Sequence, residues 1–152
     1  MVRIATLSLA LVLACTACAT NRTATPAGDV QVQFGSIGGN PGQAPKIDTS
    51  SHKFTLAGNG SAPMIGARIV RGTQGAYRLS YQVLKKSTQS GSYIVVEKSQ
   101  VWGIPADVES RGGVFIGPDF PGGASSGQYE FAVYIDDRLV KTINFELKAS
   151  AP

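Results

Sequence analysis

Cys15 and Cys18 are the two thiols of this 152-residue chain, and His52 is its one imidazole. Thiolates three residues apart could bind a metal or close a disulfide. Here both lie in an apolar leader, which excludes a disulfide-stapled fold and a Cys-rich zinc site in the body of the protein. A single histidine excludes multi-His metal sites. His52 has Asp48 four residues before it and many serines at hand, the ingredients of a Ser-His-Asp arrangement. Such a triad needs a buried carboxylate and a serine on a strained, exposed turn, and no Gly-x-Ser-x-Gly elbow is present. The plainer reading, a surface histidine in a Ser/Thr-rich loop, is favoured. Asp136 and Asp137 are adjacent, which suits a turn better than a calcium loop. The glycine-rich stretch 35–42 lacks the terminal Gly-Lys-Ser/Thr of a phosphate loop. These residues predict no enzyme, no cofactor and no metal.

Charge is more informative than chemistry. Between Thr49 and Val96 lie six cations (Lys53, Arg68, Arg71, Arg78, Lys85 and Lys86) and no acid, whereas eight acids and five cations follow from Glu97 onward. If Val70 pairs with Arg78 across the Gly72–Gly75 turn, then Arg68 and Arg78 share an outward face and form a basic stripe with Arg71. The plain reading is a solvated sheet face. The functional one is a docking site for an acidic protein or for anionic lipid head groups. A net charge of only +4 and an export signal argue against nucleic acid as a partner.

The elements that must carry these residues begin with the leader. Arg3 is the only charge in the first 21 residues and precedes an apolar run from Ile4 to Ala14. A cationic start followed by about 7–15 apolar residues is a secretory signal peptide, too short to cross a bilayer as a helix. Small residues then surround both cysteines. Cys15-Thr16-Ala17-Cys18 and Val12-Leu13-Ala14-Cys15 each resemble the lipobox of bacterial lipoproteins, in which a small residue directly precedes a lipidated cysteine. Cys18 is the favoured attachment site because Thr16 and Ala17 fit. Cys15 is the alternative, and an ordinary signal peptide cleaved nearby is the bland one. The resemblance implies a diacylglyceryl thioether that holds the protein in the lipid bilayer. No Asp follows either cysteine, so it further implies the outer membrane, with the periplasmic face preferred to the cell surface.

Residues 19–29 have no large apolar side chain and read as a flexible tether. From Val30 to residue 148 the pattern is strand after strand, with a short tail at 149–152. Val30–Phe34 alternates at period two; Ile65, Ala67 and Ile69 share a face; so do Tyr77, Leu79, Tyr81 and Val83. The run from Tyr93 to Trp102 is rich in β-branched residues. No stretch of the mature chain carries a helical apolar stripe. Seven to eight short strands with turn signals between them predict one all-β sandwich.

Ser125-Ser126-Gly127-Gln128-Tyr129-Glu130-Phe131 resembles the tyrosine corner of immunoglobulin-like domains. Tyr129, Phe131, Val133 and Ile135, with Leu139, Ile143, Phe145 and Leu147 returning, look like a terminal hairpin of such a sandwich. Transthyretin-like and fibronectin-like sandwiches share the pattern. Lys141 within that returning face marks an edge, where an inward charge discourages pairing. Two features stay open. The stretch 105–127 is either a packed connection between sheets or an exposed binding loop, with Phe115 and Phe120 as candidate contacts. Trp102 is either core, the favoured reading, or a stacking platform. The chain therefore reads as a non-catalytic binding or assembly-accessory module of the cell envelope with a protein partner. The rival readings are an inhibitor of an exported hydrolase, inserting the 112–123 loop, and a small-ligand or glycan binder.

Overall fold

A computed structural model of the chain describes residues 30–40, 44–57, 61, 63–71, 75–106, 113–120 and 123–150. The leader, both cysteines, the tether and the tips of the Gly58–Gly60 and Gly72–Thr73–Gln74 turns lie outside the described residues. Ten strands run in chain order: β1 Val30–Gly38, β2 Lys46–Asp48, β3 Lys53–Thr55, β4 Ile65–Arg71, β5 Tyr77–Lys86, β6 Tyr93–Lys98, β7 Trp102–Ile104, β8 Val114–Ile116, β9 Gly127–Ile135 and β10 Arg138–Lys148. They form two sheets packed as an all-β sandwich. The smaller has the order β2-β1-β4-β8. The larger has the order β3-β10-β9-β5-β6, with β7 also on β5.

Period-two alternation drives the packing, since successive side chains of a strand point to opposite faces. Phe34, Ala67 and Ile69 of the small sheet meet Leu79, Val83, Phe131, Val133 and Leu147 of the large one, all at most 2 % exposed. Phe34 lies with its ring centre 5.1 Å from that of Phe131 and 5.4 Å from that of Phe145, which joins the sheets through their aromatic residues. Each such side chain contributes about 1.5–3 kcal/mol of burial.

Three expectations are corrected by the pairing. Among the described residues there are ten strands rather than seven to eight, because short segments add to the edges: β2 follows the glycine-rich stretch, and the Tyr93–Trp102 run divides into β6 and β7. β4 and β5 do not form a hairpin. β4 pairs with β1 and β8 in one sheet, and β5 with β6, β7 and β9 in the other. Leu139 is not on the inner face of β10. A bulge between Leu139 and Lys141 sets Leu139 opposite Tyr134, and Val140 packs on the core instead.

The described part of the 105–127 stretch is a packed crossover from the large sheet to the small one and back. β8 pairs with β4 through Ala67↔Ile116 and Ile69↔Val114, and both Ile116 and Phe120 are buried. Asp136 and Asp137, at φ 50° and 63°, form the tight turn between β9 and β10.

Candidate functional site

β6 follows β5 through a turn in which the Ser87 N–H donates to the Ser92 carbonyl at 2.8 Å, with Gly91 in the left-handed region at φ 69°. β6 is the outermost strand of its sheet. Its run Tyr93-Ile94-Val95-Val96 is 37 %, 54 %, 40 % and 43 % exposed, with the nearby Val101 at 53 %. Four consecutive apolar, mostly β-branched residues exposed on a sheet edge are unusual, because an edge offers unpaired N–H and C=O groups to any other chain.

The backbone register shows which groups of β6 point away from β5. Ser87 and Ser92 form a hydrogen-bonded pair, and such pairs alternate with non-bonded ones along an antiparallel ladder. Lys86↔Tyr93 and Leu84↔Val95 are thus the non-bonded pairs, and the N–H and C=O of Tyr93 and Val95 point away from β5. A bulge then falls at Val96, and pairing resumes with Val83↔Glu97. The Ser99 N–H donates to the Tyr81 carbonyl at 3.1 Å, which fits the shifted register.

Beyond the bulge the strand is anchored. Glu97 turns to the inner side and receives the Tyr81 hydroxyl at 2.6 Å and the N–H groups of Asp119 and Phe120, each at 3.2 Å. The Gly117 carbonyl lies 2.7 Å from the same hydroxyl, so one phenolic proton sits between two acceptors. Burial first, then the hydrogen bond and charge of Glu97 and the charge of Asp119, push the Tyr81 phenol well above its ordinary range. This cluster fastens the crossover segment to β6. It leaves the exposed residues of β6 apolar or cationic.

Beside the β5–β6 turn, at the end of the sandwich, opens a groove of about 560 Å³. Among the described residues, Lys85, Lys86, Ser87, Thr88, Ile94 and Gln128 line it together with further residues of the turn and of the start of β9, and none of them is an acid. Lys85 is held in place: its Nζ donates to Ser125 Oγ at 2.6 Å and lies 5.5 Å from the centre of the Tyr129 ring. A Cβ on Gly127 would come within 2.9 Å of the Lys85 Cε, so a bare residue there leaves the lysine its path. Tyr129 is buried and its hydroxyl donates to the Ser125 carbonyl at 2.6 Å.

The residues singled out from sequence are dispersed. Arg68 pairs with Gln33 and Phe115 in the small sheet, while Arg78 lies on the large one, so no hairpin stripe unites them. Arg78 forms an exposed ion pair with Asp137, and its N–H donates to Asp136 Oδ1 at 2.9 Å. Arg71 lies over the Tyr77 ring at 5.2 Å. Phe120 is buried edge-to-face against Tyr129, at 5.9 Å, so it is no exposed loop contact; Phe115 is half-buried on the outer side of β8. Trp102 packs on the core, 5.9 Å from Tyr81.

His52 is exposed and meets the edge of Phe34 at 5.6 Å. Asp48 accepts the Ser50 N–H at 2.9 Å, which lowers its carboxyl pKa. No group of three His, Cys, Asp or Glu among the described residues could hold a metal. Cys15 and Cys18 lie outside the described residues. Sequence reading missed the β6 edge and its groove. The signal was there as Tyr93-Ile94-Val95-Val96, but a continuous apolar run ordinarily marks a strand covered on both faces. Neither the models of known protein families nor the curated proteins contain a match to this chain.

Proposed function

We propose that this protein is a lipid-anchored, non-catalytic binding or assembly module of a bacterial envelope, held in the outer membrane on its periplasmic side, and that the free β6 edge receives a strand of a protein partner. The observation that carries this reading is the exposure of Tyr93–Val96 on an edge with outward N–H and C=O groups at Tyr93 and Val95. Strand addition draws affinity from main-chain hydrogen bonds and specificity from alternate side chains. The lipobox-like leader supports the anchor, and the Tyr129–Ser125 hydrogen bond supports kinship with immunoglobulin-like sandwiches.

The direction of the strands suits the anchor. The chain enters the fold at Val30, which pairs with Arg71, and β1 then runs nine residues to Gly38. At about 3.3 Å per residue, this puts roughly 30 Å between the entry point and the far end, where the β5–β6 turn lies. A partner there would not compete with the bilayer. The inhibitor reading is weaker, because residues 117–120 are bound to Tyr81 and Glu97 rather than free to enter a cleft.

The test is a photo-crosslinking residue at Val95 of the full chain in cells, with the same residue at Gln33, exposed on β1 of the other sheet, as control. A discrete adduct with one envelope protein at Val95 and none at Gln33 is expected. No adduct at Val95, or the same adducts at both positions, would overturn the reading.

A further inference from the structure

Resting on the reading of β6 as a docking edge, we propose that the strand it receives carries a carboxylate side chain beside its apolar residues, and that the groove at Lys85 and Lys86 binds that carboxylate. Three observations converge on this chemistry. The edge residues Tyr93, Val95 and Val96 are apolar and exposed, and they call for apolar neighbours. Glu97, the acid of β6, faces inward and is occupied by Tyr81, Asp119 and Phe120, so the exposed part of the strand has Lys98 as its only charge. Among the described residues, the groove beside Ile94 is lined by two lysines, hydroxyls and two amides, without an acid.

Lys85 is the more telling of the two. A neutral hydroxyl, Ser125 Oγ, and the face of Tyr129 hold its ammonium, and neither Lys85 nor Lys86 enters an ion pair among the described residues. An ammonium positioned by neutral groups keeps its full charge for an incoming anion, and a carboxylate is the anion that an extended peptide supplies. Ile94 faces the same side of the sheet as its partner Lys85, whereas Lys86, the partner of Tyr93, belongs to the outer face and lines the groove from that side. A residue of the added strand next to Ile94 therefore points towards the groove, whereas its neighbours fall beside Tyr93 and Val95 on the outer face. The partner strand thus alternates, with apolar side chains on one face and an acidic one on the other near the β5–β6 turn.

The experiment selects a random nine-residue peptide library on the full-length protein in detergent micelles. It is repeated on Val95→Pro, Lys85→Gln and Lys86→Gln proteins whose melting matches wild type. Proline at Val95 removes an N–H that faces outward and leaves the β5 ladder whole. Glutamine at position 85 keeps a donor for Ser125. The expected outcome is enrichment of apolar peptides bearing Asp or Glu, with binding lost in Val95→Pro. In the double Lys85→Gln, Lys86→Gln protein binding should fall about tenfold, as should its salt dependence.

Apolar peptides enriched without an acid, or binding indifferent to both lysines but lost in Val95→Pro, would overturn the carboxylate groove and leave the edge reading standing. Acidic peptides that bind Val95→Pro as well as wild type would overturn the strand geometry. Concentration-dependent self-association abolished by Val95→Pro would instead name a second copy of this chain as the occupant and sink the proposal.

Discussion

Glu97 accepts the Tyr81 hydroxyl at 2.6 Å from across the β5–β6 pair, on the inner side of the sandwich. Through the same carboxylate the N–H groups of Asp119 and Phe120 tie the crossover to the edge strand. A single acid therefore fastens three segments and is withdrawn from the exposed edge.

Glu97→Ala removes an acceptor from one hydroxyl and two N–H groups and should destabilise the fold by roughly 1–3 kcal/mol. Amide exchange at Phe120 should quicken along with it. Unchanged exchange there would mean that packing of the Phe120 ring alone holds the segment.

The Tyr81 phenol, raised above the ordinary tyrosine value of 10.0, gives a pH dependence of definite sign. Below that value the phenol is protonated in both folded and unfolded chains, and the full contribution to stability is present. As pH climbs past it, the unfolded chain releases the proton while the folded chain keeps it, so stability falls. Denaturant midpoints measured from neutral to strongly alkaline pH should decline more steeply for wild type than for Tyr81→Phe. Parallel declines would assign the loss to other groups.

Tyr129→Phe should cost about 1–2 kcal/mol, because the Ser125 carbonyl loses its donor in a half-buried place. The change also removes the hydroxyl nearest Ser125 without touching the ring under Lys85. A denaturation midpoint equal to wild type would remove the support for a tyrosine corner.

Proline substitutions along β6 should separate by parity. Val95→Pro, with its N–H directed outward, should shift the melting temperature little. Ile94→Pro interrupts the ladder to Lys85 and should destabilise by roughly 3 kcal/mol or more. Equal damage at both positions would contradict the register drawn from Ser87 and Ser92.

Arg78→Glu replaces an exposed ion pair with Asp137 by a repulsion, and exposed pairs are worth roughly 0–1 kcal/mol. Arg68→Glu lies on the other sheet and should act independently, so the double substitution should equal the sum of the singles. Clear non-additivity in thermal unfolding would show a coupling that the sheet placement does not provide.

Cys18→Ser should move the protein from the membrane fraction to the soluble one, since the acyl chains would supply the anchor. Loss only in Cys15→Ser would transfer the attachment to Cys15. Membrane retention in the double Cys15→Ser, Cys18→Ser protein would show that lipidation is not what anchors it.

Much of this fold was legible before any coordinates. Ile65, Ala67 and Ile69, the alternating aromatic and aliphatic residues of β5 and β9, and the Asp136-Asp137 turn depend on local steric rules and on period-two burial, which the residue order specifies directly. Tyr129 and its reach to Ser125 lie four residues apart, so that link too is local. What the order of residues does not specify is which strand lies next to which. β4 and β5 look like a hairpin, yet each gains more by covering the opposite sheet, and this parts Arg68 from Arg78. The bulge at Val140 reverses the faces of its neighbours without any local warning. Tyr93–Val96 reads as part of a β-branched-rich strand without a place in the sheet, because side-chain type reports a preference for apolar surroundings but not whether a neighbour is present. Only the closure of the two sheets, a sum of contacts between residues distant in sequence, left that strand at an edge and set Lys85 beside it.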